Sequence, residues 1–169
     1  MMFITRRPGA AGDKMEAMHD EVGRAPILDG LLKSELDLIK PLLEPGRFPK
    51  GRMVFEQGSP AQYVYILRSG SAAIKYKPYD GPAITIAHLH ARDVFGWSAV
   101  LGSRSYTSTV ITESPLRVDR IRGTALRQLY LQHPAIGEKF LDRLALAVSG
   151  RWPDARAQVR QILAARLAL

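Results

Sequence analysis

Apolar positions repeat at helical spacing in the first third of the chain. The residues concerned are Leu32, Leu36, Ile39, Leu42 and Leu43. Their spacing predicts an amphipathic helix with its apolar face on the protein core. Ser34, followed by Asp37 three residues later, is typical of an N-cap with a capping box. Pro41 and Pro45-Gly46 are expected to end the helix.

From Arg47 to Arg122 the pattern changes to short alternating or β-branched runs separated by turn residues. The predicted strands are Arg47–Pro49, Met53–Glu56, Tyr63–Arg68, Ser71–Lys77, Ala83–His90, Tyr106–Thr112 and Leu116–Ile121. Many short strands at this spacing predict a β-roll, a mainly β fold of the jelly-roll (double-stranded β-helix) type with flanking α-helices. The expected core positions are Phe55, Tyr65, Ile66, Leu67, Ile74, Ile86, Leu89, Phe95, Leu101, Val110 and Val118.

After Arg122 the pattern is helical again, with helices predicted over Thr124–Gln132 and Pro134–Ser149 and a further segment reaching Leu169. Seven apolar residues form an a/d seam with alternating spacings of four and three: Leu141, Ala145, Val148, Trp152, Ala155, Val159 and Ile162. Pro153 predicts a kink or break near residues 149–153. The expected organisation is a flexible arm (1–25), a β-roll with N-terminal helices (26–133) and a C-terminal helical segment (134–169).

The chain of 169 residues has a formal net charge of +8 and contains no cysteine. The missing cysteines exclude disulfides and thiolate metal sites. No apolar run approaches the ~20 residues of a membrane span, and residues 1–12 do not resemble a secretory signal. We therefore expect a cytoplasmic protein with no membrane partner. Late arginines (Arg143, Arg151, Arg156, Arg160 and Arg166) form either a solvated helix face or a stripe that binds an anionic partner.

The candidate chemistry lies in Asp93–Leu101 and Ser105–Val110. A strand runs into a glycine, a short helix begins at a small hydroxyl residue, and a loop leads into a β-branched strand. Such a turn can direct several backbone N–H groups at one anion. The candidate ligand-binding residues are Gly96, Trp97, Ser98, Ala99, Arg104, Ser105, Tyr106, Thr107 and Ser108.

This stretch resembles the phosphate-binding cassette of cyclic nucleotide-binding domains, found in catabolite activator regulators and in kinase regulatory subunits. The family pattern is approximately Phe-Gly-Glu-aliphatic-Ala-Leu, then a gap, then Arg-Ser/Thr-Ala-Ser/Thr-Val. In the family the Glu holds the ribose hydroxyl and the Arg neutralises the cyclic phosphate. Here Trp97 stands at the Glu position and Tyr106 at the Arg position. The segment from Phe48 to Ile74 also resembles the family's opening strands.

Within that segment, Gly51, Gly58 and Gly70 match three recurrent glycines of the family, whose role in a small roll is to form tight corners. Arg92, in contrast, stands where the family usually has glycine. We expect these corners to need a left-handed backbone or a close approach of two chain segments.

The resemblance implies a non-enzymatic sensor or regulatory domain with altered or lost cyclic nucleotide binding. Three alternatives stay open for the cassette: a cyclic nucleotide, a different small anionic or aromatic ligand, or no ligand. The resemblance also implies a homodimer through the C-terminal helix. No helix-turn-helix pattern is recognisable, so we expect no sequence-specific DNA binding. The alternative function is a protein-interaction module that docks an acidic partner or nucleic acid through the basic C-terminal helix.

Metal binding and catalysis find little support in the sequence. His88 and His90 alternate on a predicted strand, as metal ligands of some jelly rolls do, but no third ligand stands at suitable spacing. No nucleophile motif or convincing carboxylate pair is present. We expect no metal, no resident cofactor and no enzymatic activity, with a cyclic nucleotide or a different small anionic or aromatic ligand as the small-molecule candidates.

Overall fold

The computed structural model describes residues 26–149, apart from the side chain of Ser149. The predicted arm (1–25) and the last twenty residues (150–169) lie outside the described part. The helices are α1 (Lys33–Ile39), α2 (Gly123–Gln132) and α3 (Pro134–Ser149), with 3-10 turns at Pro26–Leu28, Lys40–Leu42 and Trp97–Ala99. The strands are β1 (Glu44–Phe48), β2 (Met53–Phe55), β3 (Tyr63–Ser69), β4 (Ala72–Tyr76), β5 (Ile84–Leu89), β6 (Val94–Phe95), β7 (Thr109–Thr112) and β8 (Leu116–Arg122).

The strands form two antiparallel four-stranded sheets, which confirms the predicted jelly roll with flanking helices. The first sheet has the order β1-β8-β3-β6 and the second the order β2-β7-β4-β5. Apart from the β4–β5 hairpin, consecutive strands lie in different sheets, so the chain wraps around a shared interior. This interior is filled from both sheets, for example by Leu67, Leu116 and Val118 from the first and by Ile74 and Val110 from the second.

A second apolar core lies between the outer face of the first sheet and the helices. Val64, Ile66 and Ile121 project from the sheet into this layer and meet Phe140 and Leu144 of α3. Because side chains alternate along a strand, β3 contributes Tyr63, Tyr65 and Leu67 to one core and Val64 and Ile66 to the other. This explains why β3 is apolar over five successive residues.

The start of α1 differs from the prediction. The N-cap is Leu32, two residues before Ser34, and its backbone N–H donates to the Glu35 carboxylate at 2.8 Å. The same carboxylate accepts a hydrogen bond from Lys139 Nζ at 2.5 Å, which ties α1 to α3. The carboxylate that caps the start of α1 is therefore that of Glu35, which Lys139 also holds in place. The predicted Ser34/Asp37 capping box is wrong.

Pro45-Gly46 was predicted to end a helix, but both residues belong to β1, which pairs with β8. Proline is tolerated here because β1 is an edge strand, and an edge strand has one side on which no N–H is needed. The predicted strand Arg47–Pro49 was consequently too short and shifted toward the C-terminus.

Two of the predicted core positions differ in burial. Ile86 is 43% exposed, because Ala87 and Leu89 of β5 face the interior of the roll and the alternation of side chains turns Ile86 to the outer face. Phe55 is half-buried, with its ring packed on the interior of the roll. The remaining nine predicted positions are buried.

The tight corners of the roll adopt the left-handed conformation that the glycine pattern predicts. Gly51, Gly58 and Gly70 have φ values of +75°, +85° and +94°. At Gly70 a Cβ would also lie 2.2 Å from the Pro115 carbonyl oxygen, so no side chain fits there. Arg92, at the position where a glycine is usual, is held at φ +78°.

Helix α2 confirms its predicted bounds to within one residue, and α3 begins at the predicted Pro134 and is helical through Ser149, the last described residue. The described part of the a/d seam faces this domain's own core: Val148 is 3% exposed against the sheet–helix layer, and Ala145 packs with Leu101. The other seam residues (Trp152, Ala155, Val159 and Ile162) lie outside the described residues, as does the expected kink near Pro153. Among residues 26–149, no helix is long and apolar enough to cross a membrane.

Replacing Arg92 by glycine should stabilise the fold. A non-glycine residue in the left-handed region costs about 1–2 kcal/mol, and the greater entropy of a glycine in the unfolded chain offsets about half of that. We expect Arg92→Gly to raise the free energy of unfolding by about 0.5–1 kcal/mol, measured by urea denaturation. Arg92→Val, which is β-branched, should lower it. Equal stability of the two variants would contradict the strain at this corner.

Candidate ligand-binding site

The cassette begins at Gly96, where the chain leaves β6 with φ +74°. A Cβ at this position would lie 2.8 Å from the Tyr63 carbonyl oxygen and 2.8 Å from Cδ2 of Tyr65. Both contacts are closer than real Cβ atoms allow. Glycine is therefore required both by the backbone conformation and by the close approach to β3, and the turn is pressed onto the first residues of that strand.

The short helix after Gly96 is a single 3-10 turn over Trp97–Ala99. Ser98 is buried, and its carbonyl accepts a hydrogen bond from the Ser103 N–H at 3.2 Å. Ala99 is half-buried, and its carbonyl lies where any Cβ on Gly123 would clash. The turn is thus packed between the loop that follows it and the start of α2.

Trp97, at the position of the family Glu, packs toward the helices. Its half-buried ring contacts the cluster formed by Leu101 and Ala145, and it also borders the sheet–helix core. Trp97 therefore joins the cassette to α3 through apolar packing, where the family Glu would instead offer a carboxylate to a ribose.

Tyr106, at the position of the family Arg, is 4% exposed and points at the backbone of β3. Its hydroxyl donates to the Tyr63 carbonyl oxygen at 2.8 Å and accepts from the Tyr63 N–H at 3.0 Å. Its own N–H donates to the Ser59 carbonyl oxygen at 2.9 Å, and its carbonyl accepts from the Gly58 N–H at 2.8 Å. Tyr106 is thus held through both its side chain and its backbone.

The Tyr106 ring belongs to an aromatic cluster inside the roll, formed by Phe55, Tyr63, Tyr65, Phe95 and Tyr106. Tyr106 stacks on Phe55 with 3.8 Å between ring centroids, and Tyr65 stacks on Phe95 at 5.0 Å. Burial raises the pKa of both the Tyr65 and the Tyr106 hydroxyl. The hydroxyls therefore stay neutral, and rings occupy the interior beside the cassette.

Sequence reasoning missed the cluster partners of Tyr106. Tyr63 and Tyr65 alternate on one strand, so the period of two already placed both rings on one face. The contact with Tyr106, 43 residues later, depends on the wrapping of the roll. The sequence therefore indicated that Tyr63 and Tyr65 share a face, but it gave no indication that Tyr106 contacts them.

Charged residues at the edge of this cluster were also missed. The guanidinium groups of Arg120 and Arg122 lie 4.3 Å and 4.9 Å from the centroid of the Tyr63 ring. Each donates through Nε to a different oxygen of Glu44, at 3.2 Å in both cases. The two arginines thus cover Tyr63 while one carboxylate neutralises part of their charge.

The rest of the candidate loop runs along the segment before β3. The Arg104 carbonyl accepts from the Ala61 N–H at 3.1 Å, and Ser105 forms a β-bridge with Pro60. Arg104 and Thr107 are exposed, whereas Ser105 and Ser108 are half-buried. The structure therefore brings Gly96, Ser98 and Tyr106 together against the roll and leaves Arg104 and Thr107 at its rim.

The two histidines of β5 do not form a metal centre within the described part of the chain. His88 Nδ1 lies 3.0 Å from a Glu113 carboxylate oxygen in an exposed pair, and His90 is exposed. Among residues 26–149, no group of three His, Asp or Glu side chains could hold a metal ion.

Comparisons with known proteins agree with this architecture. A family model described as "Cyclic nucleotide-binding domain" matches residues 45–133. A CRP-like cAMP-activated global transcriptional regulator of Mycobacterium tuberculosis is 32% identical over 130 residues, which cover 76% of this chain and 57% of the regulator. The chain thus spans little more than half of that relative. Since the relative is by name a transcriptional regulator, it lends no support to the expected absence of sequence-specific DNA binding.

Solved structures show the same fold. A Geobacter metallireducens protein, crystallised as a candidate cyclic nucleotide-binding protein, superposes with a TM-score of 0.68 at 26% identity, covering 79% of this chain and 96% of that one. A cyclic nucleotide-binding domain from Methylobacillus flagellatus gives a TM-score of 0.72 at 18% identity, covering 90% and 86%. From the paired jelly-roll sheets, the cassette turn at Gly96 and the match over residues 45–133, we conclude that the chain belongs to the cyclic nucleotide-binding domain family.

Proposed function

We propose that this chain is a regulatory domain whose cassette is held by its own side chains, so that cyclic nucleotides bind weakly or not at all. One observation carries the proposal: the Tyr106 hydroxyl bonds both the N–H and the carbonyl of Tyr63 while its ring stacks on Phe55. These contacts fix the loop on β3 through the protein's own groups.

The chemistry of Tyr106 opposes recognition of a cyclic phosphate. An arginine offers several charged N–H donors to a phosphate, and hydrogen bonds of that kind are about twice as strong as neutral ones. Tyr106 offers one neutral hydroxyl, and both its donor and one of its lone pairs are already used by Tyr63. Burial raises its pKa, so the group does not ionise near neutral pH. A phosphate here would have to displace buried hydrogen bonds without gaining a charged partner.

The position of Trp97, at the other side of the cassette, also supports weak or absent binding of cyclic nucleotides. Its ring packs with Leu101 and Ala145, so the cassette and α3 are already joined by apolar contacts. In a ligand-gated domain such a coupling would have to depend on occupancy. We infer that this domain keeps the cassette and α3 in one arrangement regardless of cyclic nucleotide, and acts through that fixed surface.

The homodimer and the interaction module remain predictions. The basic residues Arg151, Arg156, Arg160 and Arg166 lie outside the described residues, so no contact in the structure favours or opposes an acidic partner. The described seam residue Val148 lies in this domain's own core. A dimer through the C-terminal segment therefore depends on the later seam positions.

The contribution of the Tyr106 hydroxyl can be measured by removing it alone. Tyr106→Phe keeps the ring but leaves the Tyr63 N–H and carbonyl without this partner. Leaving buried polar groups unsatisfied costs about 1–3 kcal/mol, and we expect a loss of that size in urea denaturation. Tyr79→Phe is the matched control, because Tyr79 is 99% exposed and should show no change. Equal stability of the two variants would contradict the role of the hydroxyl.

Titration calorimetry with cyclic AMP tests the ligand proposal. The unmodified protein should give no saturable heat or only weak binding. The double variant Trp97→Glu/Tyr106→Arg should bind at least about tenfold more tightly, or about 1.4 kcal/mol, because it supplies a ribose acceptor and a phosphate partner. Trp97→Glu alone keeps the Tyr106 contacts and should gain nothing.

Because the double variant removes buried contacts, its circular dichroism must first show a folded β-roll. Submicromolar binding by the unmodified protein would overturn the proposal, as would a full gain from Trp97→Glu alone. Saturable binding of a different small anion to the unmodified cassette, abolished by Tyr106→Phe, would overturn the claim of a ligand-independent cassette.

Light scattering tests the dimer. Val159→Glu places an unpaired charge in the later part of the seam, where an apolar interface would lose several kcal/mol. We expect the parent to have the mass of a dimer and the variant that of a folded monomer. Val148→Glu is the contrasting control, and it should unfold the domain because Val148 is buried in the core. A monomeric parent, or an unchanged mass for Val159→Glu, would refute the dimer.

A further inference from the structure

A second concave site lies at the opposite end of the first sheet from the cassette. It is a surface cleft of about 470 Å³ between the ends of β1, β3 and β8. Its lining includes Phe48, Pro49, Pro115 and Leu116 together with Arg47 and Arg117. Phe48 and Leu116 pack into the interior of the roll, whereas the exposed Pro49 and Pro115 lie on the same side as the two arginines, because side chains alternate along a strand. Along β3, the six-residue rise from Tyr63 to Ser69 separates it from the cassette by about 20 Å.

The two arginines of the cleft are direct neighbours. Arg47 of β1 and Arg117 of β8 are paired residues in the antiparallel register, and both are exposed. Residues paired in this way have Cβ atoms about 4.5–5.5 Å apart, and like charges at that distance destabilise the strand pair. The structure gives neither arginine an ion pair with any residue in 26–149.

The nearest carboxylate on that strand does not neutralise the pair. Asp119 lies two residues after Arg117 on the same face of β8, but Arg68 of β3 binds it through both Nε and Nη2. Arg68, Arg47 and Arg117 thus contribute three positive charges at this end of the sheet against the single negative charge of Asp119. The cleft is left with a charge excess of about two.

We propose that this cleft binds a small organic anion, with its phosphate or carboxylate group between Arg47 and Arg117. Guanidinium groups bind both kinds of oxyanion through paired hydrogen bonds. The apolar part of the ligand lies against Pro49 and Pro115, since small-molecule sites combine apolar walls with a few convergent polar groups. Binding also removes the repulsion between the arginines. The site is independent of the cassette and of the function proposed for it.

Titration calorimetry on the full chain with four probes tests the site: phenyl phosphate, benzoate, inorganic phosphate and phenol. We expect saturable binding of phenyl phosphate or benzoate, weaker binding of inorganic phosphate, and none of phenol. The stronger of the first two identifies the oxyanion. Arg47→Gln and Arg117→Gln should each weaken binding at least about tenfold. Arg47→Lys should weaken it less, because lysine keeps the positive charge but lacks the paired N–H donors of a guanidinium group.

The control variant is Arg127→Gln, which removes an exposed positive charge from α2. It should leave the affinities unchanged. Equal losses in Arg127→Gln and Arg117→Gln would show that only net charge matters and would overturn the site. The proposal would also be overturned if none of the four probes bound saturably. A higher thermal stability of Arg117→Gln would then identify the arginines as a merely repulsive pair.

Cyclic AMP, itself an organic anion, separates this site from the cassette. Binding of cyclic AMP that Arg117→Gln abolishes and Tyr106→Phe leaves unchanged would support the cleft. Binding that is insensitive to Arg117→Gln belongs to the cassette and would contradict the proposed function without supporting the cleft.

Discussion

The bond between the Tyr106 hydroxyl and the backbone of Tyr63 is the interaction on which the cassette end of the domain depends. β3 is a central strand, but its neighbour β6 has only two residues and pairs with Tyr65 and Ile66. The N–H and carbonyl of Tyr63 extend beyond that short partner into a buried region, where they need hydrogen bonds. Tyr106 supplies both, so a side chain completes the sheet and fixes the loop that carries it.

The position of β3, which Tyr106 fixes, also affects the helices, because β3 lies between the interior of the roll and the core under the helices. β3 places its tyrosines in the interior of the roll and Val64 and Ile66 in the sheet–helix core, so the position of one strand affects both layers. Leu101 of the cassette packs with Ala145 of α3, and Trp97 packs against this cluster. On the far side of the helices, Lys139 of α3 binds Glu35. The hydrogen bond from Lys139, followed by the one from the Leu32 N–H, lowers the pKa of Glu35 and keeps it charged.

The charges of the first sheet are divided between its two ends. At the cassette end, Glu44 and the Tyr63 ring compensate Arg120 and Arg122. At the other end, Asp119 compensates Arg68 alone, and Arg47 and Arg117 face each other beside an apolar cleft. A family fold can thus lose the polar anchors of one site while a different part of the same sheet has the charge and shape for an anion.

Local pattern alone was sufficient for the jelly roll, for the bounds of α2 and the start of α3 to within one residue, and for the glycine corners, because periodicity, helix signals and φ > 0 are properties of neighbouring residues. The cassette, and the absence of its two anchors at Trp97 and Tyr106, were likewise visible in the sequence. Tertiary structure decided what those residues do instead. Ser34 is not the N-cap of α1, because the helix begins at Leu32 with the carboxylate of Glu35, which Lys139 binds from more than a hundred residues away. Tyr106 binds Tyr63, 43 residues earlier in the chain, because the roll brings them together. Such contacts depend on wrapping of the whole chain, which no window of neighbouring residues contains.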